Sequence, residues 1–248
     1  LVTTDKENQY SLIHARSCPE NFIGLEPYEK LLPLKWWQKI IFLPKILRRQ
    51  GFNVVHVTEN ACPFFINAPY KKIVTVHDLM PLGLSYSVNL STKLYYKFYL
   101  PWALSKVDKI VTVSQYSKED LIKFYGILEE KITVIYHGVS PLFYKEPTED
   151  SLRAFKERHQ LFKPFILSVG TLNFRKNLKT AIEAYALLPD QIRKQYELVL
   201  IGHPESQSGA VRELAGQMGL AGSVRIFEPA PDEDLLYFYK LASIFVFP

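Results

Sequence analysis

The chain has 248 residues, 48% of them hydrophobic and 22% charged, with a formal net charge of +5. That length accommodates two domains with separate cores, and a composition without low-complexity tracts or internal repeats excludes a disordered or fibrous protein. The charge suits an anionic small molecule or a lipid surface and is too small to argue for nucleic acid, and no apolar run approaches the roughly 20 residues of a spanning helix.

Cys18 and Cys62 are the two cysteines, and neither has a partner at metal-ligand spacing. A reduced, cytoplasmic protein without a bound metal is therefore expected, with a disulfide as the alternative. No signal-peptide pattern stands at Leu1. Residues 1–53 are weakly patterned except for 28–50, where six Lys or Arg face one Glu and Trp36, Trp37, Ile40, Ile41 and Leu47 interleave with them. Pro44 divides that stretch into a kinked helix or two short ones. It reads either as a peripheral contact with anionic lipid or as a core helix with a solvated basic back.

From Asn53 onward apolar β-branched runs recur at 54–57, 72–78, 109–114 and 131–135. A Tyr- and Leu-rich helix is expected over about 91–105, and a second over 118–124, capped by Ser117 or a neighbour and stopped near Gly126. Strands alternating with helices predict a parallel, doubly wound sheet, in which ligands sit beyond the carboxyl ends of the strands. That rule selects His77, Asp78, Ser114, His137 and Gly138. An imidazole at such a rim can donate to a ligand hydroxyl or stabilise developing charge, although a lone His is commonly structural. Asp78 either orients His77 or caps the next element.

Residues 141–150, with two prolines and no apolar period, read as a linker, and a short helix over 151–159 follows. The run Phe165-Ile166-Leu167-Ser168-Val169 has the content of a buried strand, ended by Gly170 and Thr171. Beyond Asn177 the period changes: Leu178, Ala181, Ile182, Tyr185 and Leu188 line one helical face, with Asn177 as the expected N-cap. Arg175 and Lys176 stand just before that cap. They are either solvated loop charges or, beside a helix N-terminus, an anion site. Further strands are expected at 197–201, 224–227 and 244–247, and helices at 208–218 and 232–241, the latter capped by Asp232. Gly202 ends the first of these strands and, lacking a side chain, would let another group approach the backbone; His203 beside it reads as a turn residue rather than as a ligand. Asp232, Glu233 and Asp234 read as first-turn charges rather than as a metal cluster.

Taken together, V-G-T-L-x-x-R-K-N-L (169–178), T-V-H-D-L (75–79), V-T-V-S-x-x-S-K (111–118), I-x-V-I-x-x-G-V (132–139), L-V-L-I-G-H (198–203) and D-E-D-L-L-x-x-Y-x-x-A-x-x-F-V-F-P (232–248) resemble, in order and spacing, the retaining glycosyltransferases of family 4. The resemblance implies a GT-B fold of two Rossmann-like doubly wound α/β domains. An acceptor-side domain would occupy 1–140, a linker and short helix 141–164, and the first part of a nucleotide-sugar-binding domain 165–248. It implies that Arg175 and Lys176 hold the diphosphate of a GDP- or UDP-sugar, that Gly170, Thr171 and Gly202 line the donor, and that His77 lies near the donor sugar. Mannose transfer from GDP-mannose to a glycan or lipid-linked hydroxyl is the expected activity, without metal or nucleic acid. A sugar-nucleotide epimerase and a non-catalytic nucleotide-binding or membrane-docking fragment are the alternatives. Where the family carries Asn-Gly-Val-Asp, this chain has His137-Gly138-Val139-Ser140, which retains the glycine expected to make the turn but neither the Asn nor the Asp. Family members start with a further strand and continue into a glutamate-bearing segment, so the chain is expected to be incomplete at both ends.

Overall fold

A computed structural model describes residues 7–8, 45, 47–49, 51–60, 69–83, 88–172, 176–202, 208–228 and 230–248. The chain divides into two units, Leu1–His137 and Gly138–Pro248. Each is built on a four-stranded sheet whose pairings are all parallel.

In the first unit β1 (Val54–Val57), β2 (Lys71–Val76), β3 (Lys109–Thr112) and β4 (Ile132–Val134) lie in sequence order. Val74, Val76 and Ile110 are fully buried, which is why these Val- and Ile-rich runs form central strands. The strands end earlier than their apolar runs suggest, so His77, Asp78, Val113 and Ser114 lie beyond the sheet. After β2 come α1 (Met80–Gly83), α2 (Leu90–Leu94), a π turn (Tyr95–Tyr99) and α3 (Leu100–Ser105). Pro101 has no N–H to give to the preceding turn and its ring crowds the carbonyl four residues back. The backbone widens there, and Leu100 N–H reaches back to the Tyr95 carbonyl. Leu100, Ala103 and Leu104 pack into the core with Val55, Val74, Ile110, Leu121 and Ile132.

Between β3 and β4 runs α4 (Gln115–Tyr125). Its cap is Ser114, whose Oγ accepts from the Ser117 amide at 3.1 Å, and it stops at Gly126, which adopts the left-handed conformation with φ 62°. Of residues 28–50, only Lys45, Leu47, Arg48 and Arg49 are among the described ones; Leu47 is buried in the core while the three cations are exposed.

The second unit opens with a 3₁₀ turn (Pro141–Tyr144) and α5 (Glu149–His159), so the segment read as a linker is partly ordered. Then follow β5 (Phe165–Val169), α6 (Leu178–Ala186), α7 (Asp190–Gln195), β6 (Glu197–Ile201), α8 (Ser208–Gln217), β7 (Val224–Phe227), α9 (Asp232–Leu241) and β8 (Ile244–Phe245). The strand order is β7-β6-β5-β8, so the chain winds one way from β5 and then returns to its other side. Side-chain alternation builds two cores on opposite faces. Leu198 and Leu200 join Leu178, Ile182, Tyr185 and Ala215 on one, and Val199 and Ile201 join Phe155, Phe165, Leu167 and Phe238 on the other. Helices thus cover both faces, as the near-continuous apolar strands require.

Two expected helix caps are corrected. Asn177 sits in the left-handed region (φ 50°, ψ 32°), and its Oδ1 accepts from Thr180 Oγ1 at 2.8 Å instead of from a first-turn amide. Asp232 lies one residue inside α9, with Pro231 at the cap position, where its charge still complements the helix dipole. A short helix, α7, lies between α6 and β6. Among the described residues no helix is long and apolar enough to cross a membrane.

At the entry to the first sheet, Asp108 N–H donates to the Lys72 carbonyl at 2.9 Å, and Lys72 N–H donates to Asp108 Oδ2 at 2.9 Å. Partial burial pushes the Asp108 carboxyl up, but the Lys72 amide and the charges of Lys72 and Lys71 together outweigh it and hold the group below its usual range. A carboxylate depressed in this way adds stability above its unfolded pKa and loses it as pH falls through the folded value. Asp108→Asn is therefore expected to destabilise the protein at neutral pH by up to about 1 kcal/mol, as for a solvent-screened pair. Urea unfolding should show that difference shrinking as pH falls below the carboxylate range, and a difference independent of pH would reject the ionic account.

Candidate functional site

In the first unit the carboxyl ends of β1, β2 and β3 carry a continuous hydrogen-bonded rim centred on Asn60. Its Oδ1 accepts from the His77 amide at 2.8 Å, and its Nδ2 donates to the Asp78 carbonyl at 3.2 Å and to Tyr96 Oη at 2.8 Å. Tyr95 Oη donates to the Asn60 carbonyl at 2.7 Å, so both tyrosines of the π turn hold this one residue. Tyr125 Oη in turn donates to the Tyr96 carbonyl at 2.6 Å; burial raises the Tyr125 phenol, which keeps it a donor.

His77 is half-buried at that rim. Its Nε2 donates to the Thr58 carbonyl at 2.9 Å, which assigns the ring proton to Nε2, since a carbonyl can only accept. Nδ1 has no hydrogen-bond partner among the described residues and in the neutral ring presents a lone pair. His137, after β4, stacks on it with ring centroids 5.6 Å apart and planes 18° apart. From the far side, Ser117 Oγ donates to the His77 carbonyl at 2.9 Å, and Ser114 Oγ bonds to Ser117 Oγ at 3.0 Å. The structure therefore brings His77, Ser114 and His137 together.

Asp78 does not orient His77. Its Oδ1 accepts from the Met80 amide at 3.0 Å and caps α1. Gly138 is exposed, lacks a positive φ, and a Cβ there would meet nothing within 4 Å, so this turn does not depend on glycine.

In the second unit, β5 and β8 are neighbours although the other two strands lie on the far side of β5. In open parallel sheets that reversal opens a crevice at the carboxyl ends, where ligands bind. Gly170, Lys176 and Phe247 meet at this position. The Lys176 stem lies over Gly170, where a Cβ would come within 3.4 Å of its Cγ and Cδ, and its Nζ sits 4.6 Å from the centre of the Phe247 ring. Thr171 continues from Gly170 and is half-buried.

Gly202 packs directly against the Gly170 backbone. A Cβ there would lie 1.8 Å from the Gly170 carbonyl oxygen and 2.7 Å from its carbon. The missing side chain lets two loop backbones touch, which fixes the course of Gly170–Thr171. Arg175 and His203 lie outside the described residues, as do Cys18 and Cys62. Among the described residues no three His, Cys, Asp or Glu side chains cluster as a metal site would.

Thr58, Asn60, Ser117 and Phe247 were not among the residues selected from sequence. The rule that chose His77 would also have chosen Thr58-Glu59-Asn60, a polar triplet directly after β1.

Two parallel-sheet α/β units in one chain resemble the glycosyltransferase structures of the GT-B fold. The pattern of Glycosyltransferase Family 4 matches residues 17–141, and that of the Glycosyl transferases group 1 matches residues 151–248. The chain belongs to Glycosyltransferase Family 4. It is 31% identical over 188 residues to the serotype-specific mannosyltransferase WbdA of Escherichia coli, covering 73% of this chain and 23% of WbdA. With the O-antigen chain mannosyltransferase RfbU of Salmonella typhimurium it shares 24% identity over 221 residues, 88% of this chain and 56% of RfbU. The chain thus spans little more than half of RfbU and about a quarter of WbdA. The crystal structure of Anabaena Alr3699/HepE in complex with UDP superimposes with a TM-score of 0.65 at 16% identity, over 83% of this chain and 56% of that one, which establishes the shared fold.

Gly202→Ala should force the Gly170 carbonyl to move, costing about 3 kcal/mol or more because backbone, unlike a flexible side chain, cannot swing aside. A drop in the unfolding midpoint is the expected readout, and wild-type stability would contradict the close approach.

Proposed function

We propose that this chain forms the donor-gripping and acceptor-side parts of a retaining glycosyltransferase acting in polysaccharide or glycolipid synthesis. The sugar is mannose carried by GDP, with UDP-hexoses the next choice, and the acceptor is a hydroxyl on a glycan or a lipid-linked saccharide. The observation that carries this reading is the position of Lys176 at the β5–β8 switch point: its stem lies over Gly170 and its ammonium faces the Phe247 ring. Its chemistry there is to take up the charge that grows on a departing nucleotide diphosphate, and Arg175, its neighbour in sequence, supplies a second cation with a fork suited to phosphate oxygens. A cation already in place reorganises little as that charge develops, so it acts chiefly on the transition state.

His77 Nδ1, with Nε2 committed to Thr58, accepts a hydrogen bond from a sugar hydroxyl. His137 backs the ring, while Ser114 and Asp78 serve the rim as helix caps. Thr171 and the Gly170 backbone line the donor. Mannose is favoured because WbdA and RfbU are mannosyltransferases, and a nucleotide-sugar donor because HepE binds UDP. Retention of configuration and independence from metal belong to the same reading, and the membrane is approached from its cytoplasmic side.

In the complete enzyme, Arg175→Ala or Lys176→Ala is expected to slow transfer by about 10²-fold while leaving the unfolding midpoint near that of wild type. Transfer within a fewfold of the unmodified enzyme would remove the diphosphate role. Transfer assayed after chelation with EDTA should proceed at the untreated rate. Loss that Mg²⁺ or Mn²⁺ restores would show instead that a metal neutralises the leaving group.

A further inference from the structure

Histidine has one torsion that its rotamer preferences leave broad, the turn of the ring about the Cβ–Cγ bond. For His77 that torsion decides where Nδ1 points, so whatever holds the ring plane also aims the lone pair. The backbone beneath it is fixed, because its N–H donates to Asn60 Oδ1 at 2.8 Å and its carbonyl accepts from Ser117 Oγ at 2.9 Å. The ring itself makes one hydrogen bond among the described residues, from Nε2 to the Thr58 carbonyl at 2.9 Å. A bond at one corner fixes the position of that corner and leaves the plane able to pivot about it.

The second restraint is the ring of His137. Its plane lies within 18° of the His77 plane, with centroids 5.6 Å apart, an offset parallel stack. Tilting His77 would either open that contact or drive the edge of one ring into the other. His137 is brought there by the ends of the sheet. Thr112, fully buried at the end of β3, donates from Oγ1 to the Val76 carbonyl at 2.8 Å and accepts at its own carbonyl from the Ile135 amide at 2.8 Å. One residue thus ties the strand end that leads into His77 to the strand end that leads, two residues beyond Ile135, into His137. His137 is exposed, so burial in a core does not account for where its ring lies.

We propose that His137 is a positioning residue, whose ring face sets the plane of His77 and so directs Nδ1 toward a hydroxyl of the donor sugar. This rests on the reading of His77 as the acceptor of that hydroxyl's hydrogen bond. What His137 contributes is a flat face rather than a charge or a proton, so a planar ring at 137 serves and a side chain without one does not. The phosphates of the donor fall to Arg175 and Lys176 on the same reading, and a tilt of His77 therefore acts on kcat more than on the donor KM.

The test is a double-mutant cycle in the complete enzyme, reading GDP released from GDP-mannose, or UDP from UDP-glucose where that is the donor turned over. His137→Ala is expected to lower kcat about tenfold, as for one hydrogen bond lost or misdirected, with the donor KM changed by less than about twofold. His137→Phe should recover most of that loss, and in a His77→Ala background His137→Ala should cost nothing further. The unfolding midpoint of each His137 variant should stay near that of wild type, which separates positioning from misfolding. A His137→Ala enzyme at the wild-type rate, beside a slow His77→Ala enzyme, overturns the positioning role and leaves the sugar-hydroxyl reading standing. A His77→Ala enzyme at the wild-type rate overturns both, as does the absence of nucleotide release from either donor. Equal losses in His137→Phe and His137→Ala, or additive losses in the double variant, would make His137 act through its own nitrogens and overturn the positioning role.

Discussion

Everything proposed for the second unit depends on two backbones touching. The β5 and β6 ladders run in register to Val169↔Ile201, and the next residue on each side is a glycine. Gly170 N–H still donates to the Ile201 carbonyl at 2.8 Å, which brings its own carbonyl against the Cα of Gly202. With the strand-to-loop corner pinned, the Lys176 stem has a surface to lie on, and β8 brings Phe247 to its head. Packing and backbone geometry contribute directly to placing this cation. That arrangement suits a group meant to meet transient negative charge, since its orientation is prepared before the charge appears.

The first unit reaches comparable definition by another route. Asn60 commits both its amide atoms and its carbonyl to the rim, and its partners come from two other parts of the chain, His77–Asp78 and Tyr95–Tyr96. A buried-edge network of this kind rigidifies when every member is satisfied. The His77 backbone is held at both its N–H and its carbonyl, and the ring at Nε2, so the atom left to a ligand is Nδ1. His137, which replaces the asparagine usual in the family, stacks a second planar group on that ring.

How much of this was legible in the sequence follows from the range of the forces involved. Strands such as Phe165–Val169 and Glu197–Ile201 were readable because burial on two faces leaves an apolar run that neighbours in sequence display. Gly202 was visible as a special glycine, but its partner, Gly170, is a contact between strands that no local pattern encodes. Helix caps failed where backbone conformation decided the matter: Asn177 has the right side chain, yet its left-handed backbone turns Oδ1 to Thr180. Asp78 had two open roles, and the Met80 amide settled it as a cap. Asn60 and Phe247 were missed because their importance lies in partners far along the chain.

The π turn joins the rim to the outer surface of the first unit. Tyr95 and Tyr96 face inward and hold Asn60, which holds His77; within a few residues Leu94, Phe98 and Trp102 face outward. Pro101 makes the wide turn favourable, and the wide turn lets adjacent tyrosines reach one asparagine. A helix of uniform pitch would turn these two side chains further apart.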